Sequence, residues 1–366
     1  MALPMNIVKF ANGDANILKT YDQMRDYYFH YMSANMGKKL GDFDASVSLD
    51  KKEKKMHEAL LAEISRVSGT QRAEGVSLEA WSMNPVVKWA TFAVVGMMID
   101  AIVPDVIVKD IGVYTDMRTV GFGETLEIDV APNSLFTVSE AGNAIRKSFN
   151  KKDFKTTVTL SAVNHQITVE TALYKVLAGK ESLAEFVRKA IYSMERAMTV
   201  DAYDTFNALV DNGSFPSALT VTGYDTQDLL ELCETVRAYN NGAKPVIMGT
   251  TVALYNVLPD ASKGYRINTD SENIGIQIIR NFFDYDIVVM PQVATGSNYG
   301  LKLKNDRLYI LSTGVDKILK GVIEGYSLSN TDQPYDNADL TQHATLNKRW
   351  GFASVTNATM GVLKFW

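Results

Sequence analysis

Residues 181–211 read ESLAEFVRKAIYSMERAMTVDAYDTFNALVD, with neither proline nor glycine inside the run. Apolar or small residues recur at Leu183, Val187, Ala190, Met194, Met198, Ala202, Phe206 and Leu209. Gaps of three and four place them in one stripe along a helix. Ser182 stands where it caps the start, with Glu185 three residues on to complete a capping box. Glu185 and Lys189 form an i,i+4 pair in the favourable order, and Asn212-Gly213 ends the run. At 1.5 Å per residue such a helix is about 45 Å long. That exceeds most globular helices and predicts a spine around which a domain is built. Leu183, Val187, Met194, Met198 and Phe206 are read as its core face, with the two methionines as gap fillers and not ligands.

Outward toward the C-terminus, residues 225–320 read as an α/β unit. Asp225–Tyr239 is an amphipathic helix, KPVIMGT a buried strand, and TTVALYNVLPD a short helix opening on a threonine cap. IGIQIIRNFF predicts a further helix, and YDIVVMP and DRLYILST two more strands. From Gly321 to Trp366 the chain shows β alternation and turn signals. It ends on apolar residues (Val355, Met360, Val362, Phe365) that a free terminus would not carry.

Outward toward the N-terminus, two strand runs, Thr125–Val130 and Lys155–Val169, flank a polar stretch. That stretch carries Arg146, Lys147, Lys151, Lys152 and Lys155 against little acid. The pattern predicts a long two-stranded projection with a basic tip. Such a ribbon is marginal alone and calls for a neighbour with an acidic receiving surface. Pro85 to about Val103 is an apolar helix or helix pair. Residues 1–84 read as an arm of separate helices. Ala15–Asn35 is rich in aromatics, and Asp50–Ser68 is amphipathic with a solvated lysine face (Lys51, Lys52, Lys54, Lys55). Short helices bury little among themselves, so the arm is expected to pack on something else, such as a second copy of the chain.

Composition narrows the function. The chain has 366 residues, 46% hydrophobic and 22% charged, with a net charge of −5. That is globular composition, long enough for two or three domains, and too acidic for a general nucleic-acid grip. One cysteine, Cys233, leaves no intramolecular disulfide and points to a reducing compartment. Within a helical run it reads as a buried small hydrophobe. The first residues lack the layout of a signal peptide. The apolar run Trp89–Ile99 is too short to span a membrane.

Chemistry is sparse. None of the common phosphate-loop, dinucleotide, zinc-protease or serine-hydrolase motifs occurs. His30, His57, His165 and His343 are scattered without metal-ligand spacing. Asp201 and Asp204 share a helix side but read as an exposed face rather than an acid/base pair. Asp332, Asp336 and Asp339 do not match a calcium loop. No catalytic residue, metal or cofactor is expected.

What remains is the order of elements: helical arm, β projection, spine helix, α/β lobe, returning β segment. This order resembles the major capsid proteins of tailed bacteriophages, the Hong Kong 97 fold family. The wording closest to that family is PNSLFTVSEAGNAIRKSFNKK, then VTLSAVNHQITVETALYKVLAGKESLAEFVRKAIYSMERAMTVDAYDTF. KPVIMGTTVALYNV with YDIVVMPQVA is similar to its axial lobe. The resemblance covers about residues 85–366 and implies an α+β fold divided as follows. Residues 1–84 form an N-terminal arm, and 116–175 an extended loop reaching an adjacent subunit. A peripheral domain comprises 85–115, 176–222 and 321–366, with the spine at 182–211, and 223–320 form an axial domain. It implies hexamers and pentamers of the chain tiling an icosahedral shell around double-stranded DNA, without sequence-specific contact. Portal, scaffold or decoration proteins are implied as partners, no membrane is involved, and assembly takes place in the host bacterial cytoplasm. Contacts would run through Arg146, Lys147, Lys151, Lys152 and Lys155 at the loop tip, with hinges near Gly121, Gly123 and Gly179. No motif selects a cross-linking lysine–asparagine pair, so none is expected. An encapsulin-like protein nanocompartment of the same fold is the alternative. An enzyme with a site in the 225–320 lobe, between SKGYRINTD and QVATGSNYG, is the rival from another class.

Overall fold

The computed structural model describes residues 15–70, 80–81, 84–121, 123–130, 155–171, 182–211, 215–257, 281–294, 299–312, 314–325, 328–331, 342–355 and 358–366. These form a mixed helical and sheet architecture in two compact units. One comprises residues 1–126, 160–199 and 321–351, the other 127–159, 200–320 and 352–366.

In the first unit, α1 (Ala15–Met36), α2 (Leu49–Ser68) and α3 (Pro85–Ile111) pack on one another. α3 is longer than expected. It runs through Pro104 to Ile111 and is long and apolar enough to cross a membrane by length and composition, but most of it is buried inside this chain. Within it the buried Asp100 carboxylate forms an ion pair with Lys348, which is fully buried. Asn84 caps its start, accepting from Val86 N–H at 2.9 Å.

The extra length of α3 corrects the reading of the arm. Tyr21, Met24, Tyr27, Tyr28, Phe29 and Met32 of α1 are buried within the chain itself. The apolar flank of α3 supplies the surface that short helices lack. Lys109 of α3 lies 4.2 Å over the Phe29 ring. Lys52, read as part of a solvated lysine face, turns inward and meets Asp26 at 2.5 Å.

The sheet of this unit has five strands. β1 (Thr115–Val120), β10 (Leu319–Glu324), β12 (Gln342–Ser354) and β11 (Leu328–Thr331) lie in that order, and β4 (Val163–Thr171) also pairs with β12. The β4–β12 register is antiparallel from Val163↔Trp350 to Thr171↔Gln342. The predicted single run Lys155–Val169 is therefore two strands. Among the described residues β3 (Thr156–Leu160) pairs only with β2 (Leu126–Val130), in a separate two-stranded sheet, and β4 leaves for β12. The break falls at Ser161-Ala162, where β12 comes close. A Cβ on Gly351 would stand 2.7 Å from Ser161 O, so only glycine fits there.

The spine is one helix, α4 (Leu183–Asp211), whose residues 183–199 belong to the first unit and 200–211 to the second. Ser182 Oγ accepts from Glu185 N–H at 3.2 Å, and Lys189 pairs with Glu185 at 2.9 Å.

The second unit is built on a six-stranded sheet in the order β5 (Thr220–Thr222), β13 (Gly361–Lys364), β9 (Arg307–Ser312), β6 (Pro245–Gly249), β8 (Tyr285–Val289), β7 (Asn281–Phe282). α5 (Thr226–Tyr239) packs on it through Leu229, Leu232, Cys233 and Val236. α6 (Thr251–Tyr255) opens on the predicted cap, Thr250 Oγ1 accepting from Ala253 N–H at 3.2 Å. IGIQIIRNFF lies outside the described residues except Asn281–Phe283. Asn281 and Phe282 form an edge strand and not a helix.

The closing segment does not return as one piece. Residues 321–351 join the first unit, but β13 pairs with β5 on one side and β9 on the other in the second. Part of the apolar end is thus accounted for internally: Met360, Val362 and Leu363 are buried, while Trp366 is 73% exposed.

Candidate functional site

The β2–β3 ribbon pairs with no other strand among the described residues. Ile128 and Leu160 are its buried positions, and most of the rest is open to solvent. Thr157 Oγ1 donates to Asp129 Oδ1 across the pair at 2.8 Å. Lys155, at its edge, is exposed. Arg146, Lys147, Lys151 and Lys152 lie outside the described residues, as does Gly179.

The base of the ribbon is more ordered than the sequence suggests. Glu324 ends β10, a strand buried at every position, and is itself 1% exposed. Its carboxylate accepts from Gly123 N–H on the outgoing side. Arg349 of β12 approaches the same carboxylate, Nη1 at 3.0 Å from Oε2, while its Nη2 donates to Ala162 O on the returning side at 3.1 Å. Gly325 N–H donates to Val120 O at 3.0 Å, and Gly121 N–H to Glu124 Oε2 at 2.8 Å. Gly123 sits at φ +76°, in the left-handed region that a side chain disfavours. The sequence offers one signal for Glu324, an acid ending a strand that is otherwise apolar but for Lys320 and Gly321, which pattern reading passes over.

Along α4, Leu183, Val187, Met194, Met198 and Phe206 are buried, with Ala184, Ile191, Glu195, Thr199, Tyr203 and Val210 beside them. The helix therefore buries a broader face than one stripe. Leu209 is only half-buried, and Val210 takes the buried position. Glu195 is the residue the sequence did not mark. Its Oε1 lies 2.5 Å from Lys38 Nζ, and its Oε2 accepts from Tyr28 OH at 2.5 Å. Lys38 Nζ also meets Asp110 Oδ2 at 2.7 Å. Burial by itself would lower the Lys38 pKa. The Glu195 and Asp110 carboxylates outweigh it and leave the pKa raised. The Tyr28 hydroxyl is pushed far up by burial and then by Glu195.

At the start of α4, Leu183 N–H points at His57 Nδ1 at 3.4 Å. Burial lowers the His57 pKa below 6.5, against Glu58 and Glu53, which raise it. At the C-terminal end, Asp211 takes Arg307 Nη1 at 2.7 Å and Lys304 Nζ at 2.8 Å. Burial would raise the Asp211 pKa, but these two hydrogen bonds hold it below the usual carboxylate value. Phe206 packs on Tyr309, ring centroids 4.5 Å apart and tilted at 59°.

Several of the residues weighed for chemistry make structural contacts. Asp204 pairs with Lys302 at 2.6 Å, and Asp201 O accepts from Thr205 Oγ1. His30 stacks on Phe43 and His165 on Trp350. Cys233 is buried, and burial first, then Glu234, pushes its thiol up to about 12. Among the described residues no group of His, Cys, Asp and Glu is placed to hold a metal. A surface groove of about 650 Å³ between α1 and α2 is lined by Lys19, Gln23, Lys55, Glu58, Glu63 and Arg66. Its arginine is already held by Glu63, Nε at 3.1 Å and Nη2 at 2.5 Å. SKGYRINTD, part of QVATGSNYG, and Asp332, Asp336 and Asp339 lie outside the described residues.

Neither a family model nor a curated protein sequence matches the chain. Solved structures do. The mature capsid of bacteriophage PhiM1 is 12% identical over 69% of this chain and 85% of that one, with a TM-score of 0.45. The capsid of a native GTA particle is 12% identical over 70% and 89%, with a TM-score of 0.49. A virus-like particle from Pyrococcus furiosus is 8% identical over 69% and 90%, with a TM-score of 0.42.

Proposed function

We propose that this chain is the major capsid protein of a tailed bacteriophage, of the Hong Kong 97 type, and that its work is assembly rather than turnover. Hexamers and pentamers of it tile an icosahedral shell that encloses double-stranded DNA. The observation that carries the reading is the β2–β3 ribbon. A two-stranded ribbon is marginal by itself. A chain that keeps one, paired with no other strand among the described residues, has a neighbour on which to lay it. The order of elements supports the same reading, with the ribbon followed by a 29-residue helix and then a sheet-centred lobe.

On this reading 116–175 is the extended loop that lies across an adjacent subunit. Residues 182–211 are the spine, and 223–320 with the final strand form the lobe nearest the capsomer centre. The basic residues Arg146, Lys147, Lys151, Lys152 and Lys155 meet acid on the neighbour. Weak contacts repeated many times per subunit make the shell persistent. The net charge of −5 suits a container that must not adhere to DNA along its inner face. The shell is assembled in the host cytoplasm, and portal, scaffold or decoration proteins complete it.

The test is negative-stain electron microscopy of the purified chain, with size-exclusion chromatography alongside. Closed shells, or free hexamers and pentamers, are expected. A small species that persists across salt and concentration, and in the presence of a scaffolding protein, would sink the reading. Shells that hold a defined protein cargo in place of DNA would favour the nanocompartment.

A further inference from the structure

Two chain segments that are far apart in sequence converge on one buried carboxylate at the foot of the ribbon. The last hydrogen bond tying β1 to the end of β10 is made at Val120, and the β4–β12 ladder begins at Val163. Between these points and the paired strands β2 and β3, the chain on each side must be held by something else. On the outgoing side it is Gly123 N–H, and on the returning side Ala162 O. The first binds Glu324, and the second binds the arginine that pairs with Glu324.

A buried carboxylate is costly unless it is paired and hydrogen-bonded. Five of the six positions of β10 are filled by Leu319, Lys320, Gly321, Val322 and Ile323. An apolar sixth would satisfy packing alone. Arginine suits the place opposite it, because its rigid planar fork presents one set of donors to the carboxylate and another to a separate carbonyl. We propose that Glu324, acting through Arg349, is a positioning residue for the ribbon. It closes the loop of residues 124–161 at its neck, so that β2 and β3 stay paired in the free subunit. Closing that neck removes part of the entropy that otherwise opposes pairing. The consequence for shell formation rests on the capsid reading. The pairing itself does not.

The test is amide hydrogen exchange on the purified full chain, comparing wild type with Arg349→Met, Glu324→Gln and the double variant. Exchange in 126–130 and 156–160 is expected to speed up about tenfold in each, the loss of a hydrogen bond to a charged group. Exchange in 186–198 of α4 should stay as in wild type. Arg349 is 38% exposed, so the Arg349→Met chain supplies a folded sample even where Glu324→Gln does not. Unchanged exchange in the ribbon overturns the proposal. So does exchange that rises equally in α4, which marks a global loss. So does protection that returns in the double variant, which would trace the effect to an uncompensated charge. If the ribbon loosens yet shells form normally, the pairing role stands and the assembly role assigned to the ribbon falls.

Discussion

Lys38 and Glu195 meet across 157 residues of chain, Nζ to Oε1 at 2.5 Å, and tie the segment after α1 to the middle of the spine helix. Asp110 shares the same ammonium. Two carboxylates thus depend on one cation. Lys38→Met strands both. Removing one partner of a buried pair costs about 3–5 kcal/mol, and Lys38 is 28% exposed, which places the expected loss near the lower end. Urea unfolding of the purified chain reads it. A midpoint equal to wild type would show that water already screens the group.

Phe206 predicts a loss of a different kind. It is fully buried against Tyr309. Phe206→Ala should cost about 3–5 kcal/mol through the cavity it leaves. Met194→Asp should be worse, because it places a charge without a partner on the same helix, and should abolish soluble folded protein. Circular dichroism on the soluble fraction decides. A fully folded Met194→Asp chain would show that this helix face is not core.

How far the sequence could be read follows from these same residues. The 3.6-residue period exposed α4 because Leu183, Val187, Met194, Met198 and Phe206 are apolar and regularly spaced. Glu195 escaped because a buried acid carries no periodic signal. Its meaning depends on Lys38 and Tyr28, far away in sequence. The arm reads as unsupported because the length of α3 carries no clear signal in the sequence beyond Pro104. The helix reads as ending near Val103, before Pro104, whereas it continues through that proline to Ile111. The split of 155–171 into β3 and β4 is hard to see, because Ser161-Ala162 carries neither glycine nor proline and the break falls where Gly351 approaches. The Thr250 cap and the strands β6, β8 and β9 are legible because their signals are local, whereas β7 falls inside a run that reads as a helix.

His57 gives a pH dependence. Its neutral Nδ1 faces the N-terminal amide of α4, and burial holds its pKa below 6.5. For a depressed pKa, the unfolded chain takes up the proton first. The stabilising contribution is therefore complete above pH 6.5 and is lost as pH falls through the folded-state value. Protonation would also set a positive charge at the positive end of the helix dipole. His57→Asn should flatten stability against pH below 6.5, read from thermal midpoints between pH 5 and 7.5. Equal slopes for the two chains would remove His57 from the account.

The pair Lys348–Asp100 separates charge from packing. Lys348 is completely buried. Asp100→Asn alone should cost about 3–5 kcal/mol, because the ammonium loses its counter-charge. Asp100→Leu with Lys348→Met should recover most of that, since replacing a buried ion pair by apolar groups is often neutral. Denaturant midpoints of the single and double variants measure the difference. A double variant as weak as the single one would mean that the pair fixes the seating of β12 on α3, and not merely its own charges.

The last prediction concerns assembly itself. Lys151 and Lys152 belong to the basic run between β2 and β3. If that run meets acid on a neighbour, reversing it to Glu at both positions opposes like charges across the contact. Folding should be unaffected, because neither residue belongs to β2 or β3. The variant should therefore unfold at the wild-type midpoint yet yield few or no shells under the microscope. High salt should narrow the difference, since exposed charges are screened over about 10 Å at 0.1 M ionic strength. Normal shells from the doubly reversed chain would show that the contact is made by backbone and apolar surface instead. The search for it would then move to the β2–β3 strands themselves.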